Sequence, residues 1–100
     1  MHIFELAELI ETKIIVVRVN EESYYTHFIR GELTDGSLLM SAVGRGKSPG
    51  GALRDYVRNL RGQRLVIDAF KSTRREFKVP KSLVYQRWPR RKASPFLILR

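Results

Sequence analysis

Asp68 and the run Glu76-Phe77-Lys78 follow the D…ExK spacing of metal-dependent nucleases. In that chemistry two carboxylates hold Mg²⁺ and a lysine orients or polarises the attacking water. The groups must then sit on adjacent strands of a hairpin, with a helix completing the core, and no strong helix follows here. The competing reading is a hairpin with ordinary surface charges, common in a chain that is 29% charged. A second pattern is Gly46-Lys47-Ser48 with Leu65-Val66-Ile67-Asp68, the end of a Walker A loop and a Walker B strand. A phosphate loop needs a glycine at its first position, so that backbone N–H groups can wrap the β-phosphate. Ser41 stands there, Pro49 directly follows the serine, and a core of parallel βαβ units does not fit in 100 residues. Neither pattern is assigned catalytic residues, and the chain is expected to be no enzyme, with no cofactor and no metal ligands.

Two further constellations bind without reacting. Arg45, Lys47 and the N–H groups of Ser48, Gly50 and Gly51 converge where a helix should begin. Dipole and free donors favour a phosphate at such a place; the alternative is a tight turn whose glycines are purely conformational. The other constellation is the last third of the chain. Residues 1–70 hold nine Lys/Arg and nine Asp/Glu, whereas residues 71–100 hold ten Lys/Arg against Glu76 alone. The whole net charge of +9 therefore lies after position 70. Phosphate contacts need many cations, and unpaired bases stack on exposed aromatics. Lys71, Arg74, Arg75, Lys78, Lys81, Arg87, Trp88, Arg90, Arg91 and Lys92 form this basic, aromatic-bearing constellation of expected nucleic-acid contacts, joined by Arg45 and Lys47. The competing reading is a solvated face followed by a disordered tail.

These groups need elements to hold them. Ser48 is a helix N-cap and Pro49 suits the first helical position. Ala52, Leu53, Tyr56, Val57 and Leu60 fall on one helical face, and Gly62 stands where a left-handed cap belongs. That face is expected to pack on Ile15, Val17, Leu39 or Val66. Ile3, Leu6, Ala7 and Ile10 have the spacing of a short leading helix. Lys13–Val19 is β-branched and apolar, a buried strand. Tyr24–Leu33 reads as one strand with a bulge at Gly31, Asp35-Gly36 as a type I′ hairpin turn, and Leu38–Val43 as the return strand. Arg64–Phe70 and Arg75–Val79 are two more strands. The order is (α)βββαββ. The expected class is α+β: an antiparallel sheet of four to five strands with one amphipathic helix on one face.

The run Gly46-x-Ser48-Pro49-x-x-Ala52-Leu53, after a hairpin and opening a helix, resembles the strand-to-helix junction of HicB-like small domains. Small phage proteins of Gram-positive hosts are similar through Tyr56, Gly62, Leu65-Val66 and Val79-Pro80. The resemblance covers residues 25–80 and implies the fold and a phage or mobile-element origin. Gly50-Gly51 replaces the family's usual acidic pair, and no DNA-binding helix-turn-helix or ribbon-helix-helix segment follows. Antitoxin activity is therefore not implied.

Cysteine is absent, which excludes disulfides and thiolate metal sites, and two distant histidines do not form one. No apolar run reaches the ~20 residues of a membrane span. The N-terminus is acidic, unlike a signal peptide. The chain is expected to be cytoplasmic, with a single domain over 1–86 and a basic tail over 87–100. Its expected role is non-enzymatic nucleic-acid binding, DNA or RNA, by a phage or mobile-element protein. The alternative is a protein-binding regulator or inhibitor, antitoxin-like or directed against host defence, with Tyr24, Tyr25 and Phe28 as candidate contacts, although a core position suits at least Phe28 better. A homodimer is compatible with either.

Overall fold

The computed structural model of the chain describes residues 1–88 in full and the backbone of Phe96–Leu99. Helix α1 spans Ile3–Leu9. His2 caps it: its ring accepts from the Glu5 N–H, while the Glu5 carboxylate accepts from the His2 N–H. The strands are β1 (Ile14–Asn20), β2 (Ser23–Phe28), β3 (Gly31–Thr34), β4 (Leu39–Met40) and β5 (Gly44–Gly46). Helix α2 (Pro49–Leu60) follows, then β6 (Arg64–Ile67), β7 (Arg75–Lys78) and β8 (Phe96–Leu99). The class is α+β, with α2 laid on a sheet face as its apolar spacing requires. Ala52, Leu53, Tyr56, Val57 and Leu60 are all buried. Ser48 caps α2 by accepting from the Gly51 N–H, and Gly62 adopts a φ of +73° just beyond its end.

The strands divide between two sheets, ordered β5-β2-β1-β8 and β4-β3-β6-β7. The apparent long strand over 24–33 breaks at Arg30, whose φ is +57°. There the chain leaves the first sheet for the second, and at positions 41–43 it returns. Gly31 opens β3 and is no bulge. The β3–β4 hairpin pairs Leu33 with Met40 and Thr34 with Leu39, a four-residue loop in place of a two-residue type I′ turn. Asp35 shapes that loop by accepting from the Ser37 and Leu38 N–H groups, which lower its carboxyl pKa.

The core lies between the sheets and both helices. Ile14 and Phe28 enter it from the first sheet, and Leu33, Leu65 and Ile67 from the second. This places β1 one residue out of the expected register. Ile14 and Val16 face inward, whereas Ile15 and Val17 lie half-buried on the outer face. The basic stretch from position 87 starts against the fold. Trp88 packs on the core, and the β8 backbone pairs in parallel with β1, Ile14 opposite Phe96.

Tyr56 joins α2 to β2. The β2–β5 ladder ends at Thr26 opposite Gly44, so the Phe28 N–H has no strand partner on that side. The Tyr56 hydroxyl accepts from it at 3.0 Å, and the two rings meet edge to face at 5.7 Å. Burial pushes the phenol well above its ordinary range. Its neutral form thus stabilises the fold fully below the unfolded-state pKa of about 10, and this is lost as pH rises further. Tyr56→Phe should lower stability at neutral pH by about 1–3 kcal/mol, because the Phe28 N–H is left without an acceptor. Denaturant titrations should also show a flatter fall above pH ~10 than the native chain, whose loss approaches ~1.4 kcal/mol per pH unit. Equal stability at neutral pH would show that this bond is dispensable.

Candidate nucleic-acid interface

The glycine-rich basic loop is built for close packing. A Cβ on Gly44 would lie 2.1 Å from the Ala52 carbonyl oxygen, and one on Gly46 2.5 Å from the Ala52 nitrogen. The glycines let β5 lie directly on the backbone of α2. β5 pairs antiparallel with β2, so the parallel βαβ unit of a nucleotide-binding loop is not formed. Asp55 on α2 secures the outer edge of β5 by accepting from the Arg45 N–H at 2.9 Å, and Asn59 donates to the Val43 carbonyl. The Arg45 N–H, followed by Arg58, holds the Asp55 carboxyl below the usual range. At the helix start the Gly51 N–H is taken by Ser48 Oγ and the Ala52 N–H by the Ser48 carbonyl. One of the three expected anion donors is therefore engaged in capping. Arg45 and Lys47 are exposed.

The D…ExK residues have structural partners. Val66 pairs with Glu76 across β6 and β7, and Arg64 with Lys78. Asp68 follows β6 with a φ of +55°, out of the ladder. Its Oδ2 accepts from Thr73 Oγ1 at 3.0 Å, and its buried Oδ1 lies 2.7 Å from Arg30 Nε. The Arg30 N–H is not aimed along that contact, so Oδ1 is ion-paired without a geometric hydrogen bond. Glu76 pairs with Arg74 at 3.2 Å and Arg64 at 3.8 Å. Lys78 Nζ donates to the Gly62 carbonyl at 2.6 Å, just past the end of α2. Among the described residues no three His, Asp or Glu side chains are grouped as a metal cage requires.

The sequence-predicted cations fall into three places. Lys71, Arg74 and Arg75 gather around Asp68, lining the hollows on its two sides. Lys78 and Lys81 meet at Gly62, where a Cβ would lie 3.2 Å from the Lys81 stem. Arg45 and Lys47 lie at the other end of α2, roughly 18 Å away for a 12-residue helix. Trp88 is also at that end. Its Nε1 donates to the Pro49 carbonyl at 2.8 Å, and its ring tilts against Phe4 at 5.5 Å. The expectation of an exposed stacking residue at Trp88 therefore does not hold: the indole is half-buried against the core. The exposed Arg87 precedes it. Tyr85 lies alongside, with Arg54 stacked over its ring at 4.6 Å. Arg90, Arg91 and Lys92 lie outside the described residues.

Sequence reasoning passed over Phe70. It ends the expected strand 64–70, yet β6 stops at Ile67 and the ring stands 87% exposed in the turn beyond. The available signal was its place between Asp68 and Lys71. Of the aromatics assigned to a protein partner, Phe28 is fully buried, while Tyr25 lies on the outer face of the first sheet, near-parallel to His27. No helix of the described residues is long and apolar enough to cross a membrane. Comparisons with protein-family models, with curated proteins and with solved structures find no match.

Proposed function

We propose that this is a small, non-enzymatic nucleic-acid-binding protein that contacts phosphates through its basic last third. The observation that carries the reading is which charges lack partners. Of the acids near the basic groups, Asp68 pairs with Arg30, Asp55 with Arg58, and Glu76 with Arg64 and Arg74, while Glu11 and Glu32 line the neighbouring hollows without an ion pair among the described residues. Lys71, Lys81 and Arg87 are exposed, and among the described residues no carboxylate pairs with them. Arg45 and Lys47 are in the same condition. Uncompensated, solvent-facing cations raise the local concentration of a polyanion and release its counterions on contact. The phage or mobile-element origin and the HicB-like resemblance belong to the same proposal, supported by the Ser48-Pro49 cap and Val79-Pro80.

Salt dependence tests it. With four or five phosphates engaged, log K should fall with log[salt] with a slope of roughly −3 to −4. A fourfold rise in salt then weakens binding roughly 100-fold by the same coefficients. Lys71→Gln, Lys81→Gln and Arg87→Gln should each flatten the slope by about 0.7–0.9 if that side chain meets a phosphate. No binding in low salt, to single or double strands, would sink the proposal.

A second reading, a protein-binding regulator, is favoured by one feature. The outer face of the first sheet carries Ile15, Val17, Tyr25 and Val19, the last 58% exposed. A pull-down with and without nuclease separates the two: a partner protein that survives nuclease treatment supports the second.

A further inference from the structure

Phe70 lies in the turn between β6 and β7, and that turn is held far more firmly than a simple connection needs. The Lys71 N–H donates to the Asp68 carbonyl, and the Arg74 N–H to the Lys71 carbonyl. The Arg74 guanidinium donates to the Ala69 carbonyl at 3.3 Å. Asp68 is fixed from two sides by Thr73 and Arg30, and the Asp68 N–H donates to the Arg30 carbonyl. Asp68 and Arg30 both hold positive φ, a conformation that non-glycine residues keep only where surrounding contacts enforce it. The segment so fixed presents a phenyl ring to solvent. At 87% exposure the ring adds almost nothing to the core, and among the described residues no other ring or cation meets it. Isolated surface hydrophobics are common and need no explanation. This one differs in that its backbone is locked and its neighbours are charged. Phe70 and Lys71 rim a hollow of about 170 Å³ whose other walls are Arg30, Glu32, Asp68 and Ala69. Arg74 and Arg75 line the hollow on the far side of Asp68.

We propose that Phe70 is the stacking platform for an unpaired base of a single-stranded nucleic acid, with Lys71 contacting the adjoining phosphate. The inference rests on the nucleic-acid reading and narrows it to single strands, DNA or RNA. A base offers an apolar π-face of the size of the ring, and its backbone supplies the anion that Lys71 lacks. Asp68 is neutralised by Arg30, so Glu32 is the hollow's uncompensated acid; it repels phosphate, which favours the backbone on the Lys71 side and the base over Phe70. In a duplex the bases are already stacked on one another, so the ring has no partner there.

The full chain can be titrated with fluorescently labelled oligothymidine, oligouridine and a duplex of matched length, followed by anisotropy. Because Phe70 is exposed, Phe70→Ala should fold with unchanged thermal stability. It should weaken single-strand binding by about 5- to 150-fold, the range of one lost base–aromatic stack, and leave duplex binding alone. Phe70→Trp should restore binding, whereas Phe70→Leu, apolar without a π-face, should not. The oligothymidine and oligouridine arms report whether DNA or RNA is preferred. Single-strand affinity unchanged in Phe70→Ala, an equal loss on duplex, or full rescue by leucine would each overturn the platform while leaving phosphate binding standing. A native chain that binds none of the three probes overturns both.

Discussion

Gly44→Ala should remove a large share of the fold's stability. The added methyl carbon would sit 2.1 Å from the Ala52 carbonyl oxygen and 2.4 Å from the Tyr56 nitrogen, both backbone atoms in the middle of α2. Neither can swing aside as a side chain does. Helix and strand must part by about an ångström or more, and several contacts go with that movement: the Asp55 bond to the Arg45 N–H, the Asn59 bond to Val43, and the Tyr56 bond to Phe28. Overpacking a core costs about 1–3 kcal/mol when side chains can yield. Here backbone must yield, so a loss of about 3–5 kcal/mol is expected, against a total stability of roughly 5–15 kcal/mol for a domain. Gly36→Ala is the control. Gly36 holds a φ of +103° with open space around it, so only backbone strain enters, about 1–2 kcal/mol. Denaturant midpoints of the two variants give the comparison. A small and equal shift in both would show that β5 does not rest on the helix.

Those glycines show what the sequence makes legible. Helix α2 could be read almost to the residue, because its information is local: a Ser-Pro start, apolar positions at helical spacing, and a glycine that takes positive φ at the end. Gly44 and Gly46 carry no such local message. A glycine between strand and helix serves a phosphate or a close approach equally well, and only the placement of Ala52 and Tyr56 against it decides. The division into two sheets was hidden for a related reason. The break falls on Arg30, whose residue type gives no sign of positive φ, and the end of β6 on Asp68, a type enriched there yet far more often found at ordinary φ. Both are held there by partners distant in sequence. Charge, by contrast, was legible as a total and not as a pattern. Composition located the excess after position 70, but it could not separate Lys78, bonded to the helix end, from Lys71, which is free of any carboxylate among the described residues. Aromatic character was similarly mute about exposure: Trp88 went to the core and Phe70 to the solvent.

Ile14→Ala should cost about 2–5 kcal/mol, and Val17→Ala less than about 1 kcal/mol. Both belong to an unbroken apolar run, Ile14-Ile15-Val16-Val17, in which period-two alternation is absent and either face could be the buried one. A slip of one residue exchanges the two faces completely. The pairing settles the choice through β2, where Ile14 lies opposite Phe28 and Val16 opposite Thr26, all four buried. Val17 lies opposite Tyr25, whose other neighbour is the exposed Arg45 on β5. Thr26, the polar member of the inner face, donates its hydroxyl to the Ile15 carbonyl, which satisfies it within the sheet. Truncating Ile14 opens a cavity beside Phe28 and Tyr56; truncating Val17 removes surface that is half in water already. The reverse order of losses would put Ile15 and Val17 in the core. It would also remove the apolar outer face on which the protein-partner reading depends, so this pair of stability measurements bears on function as well as on the fold.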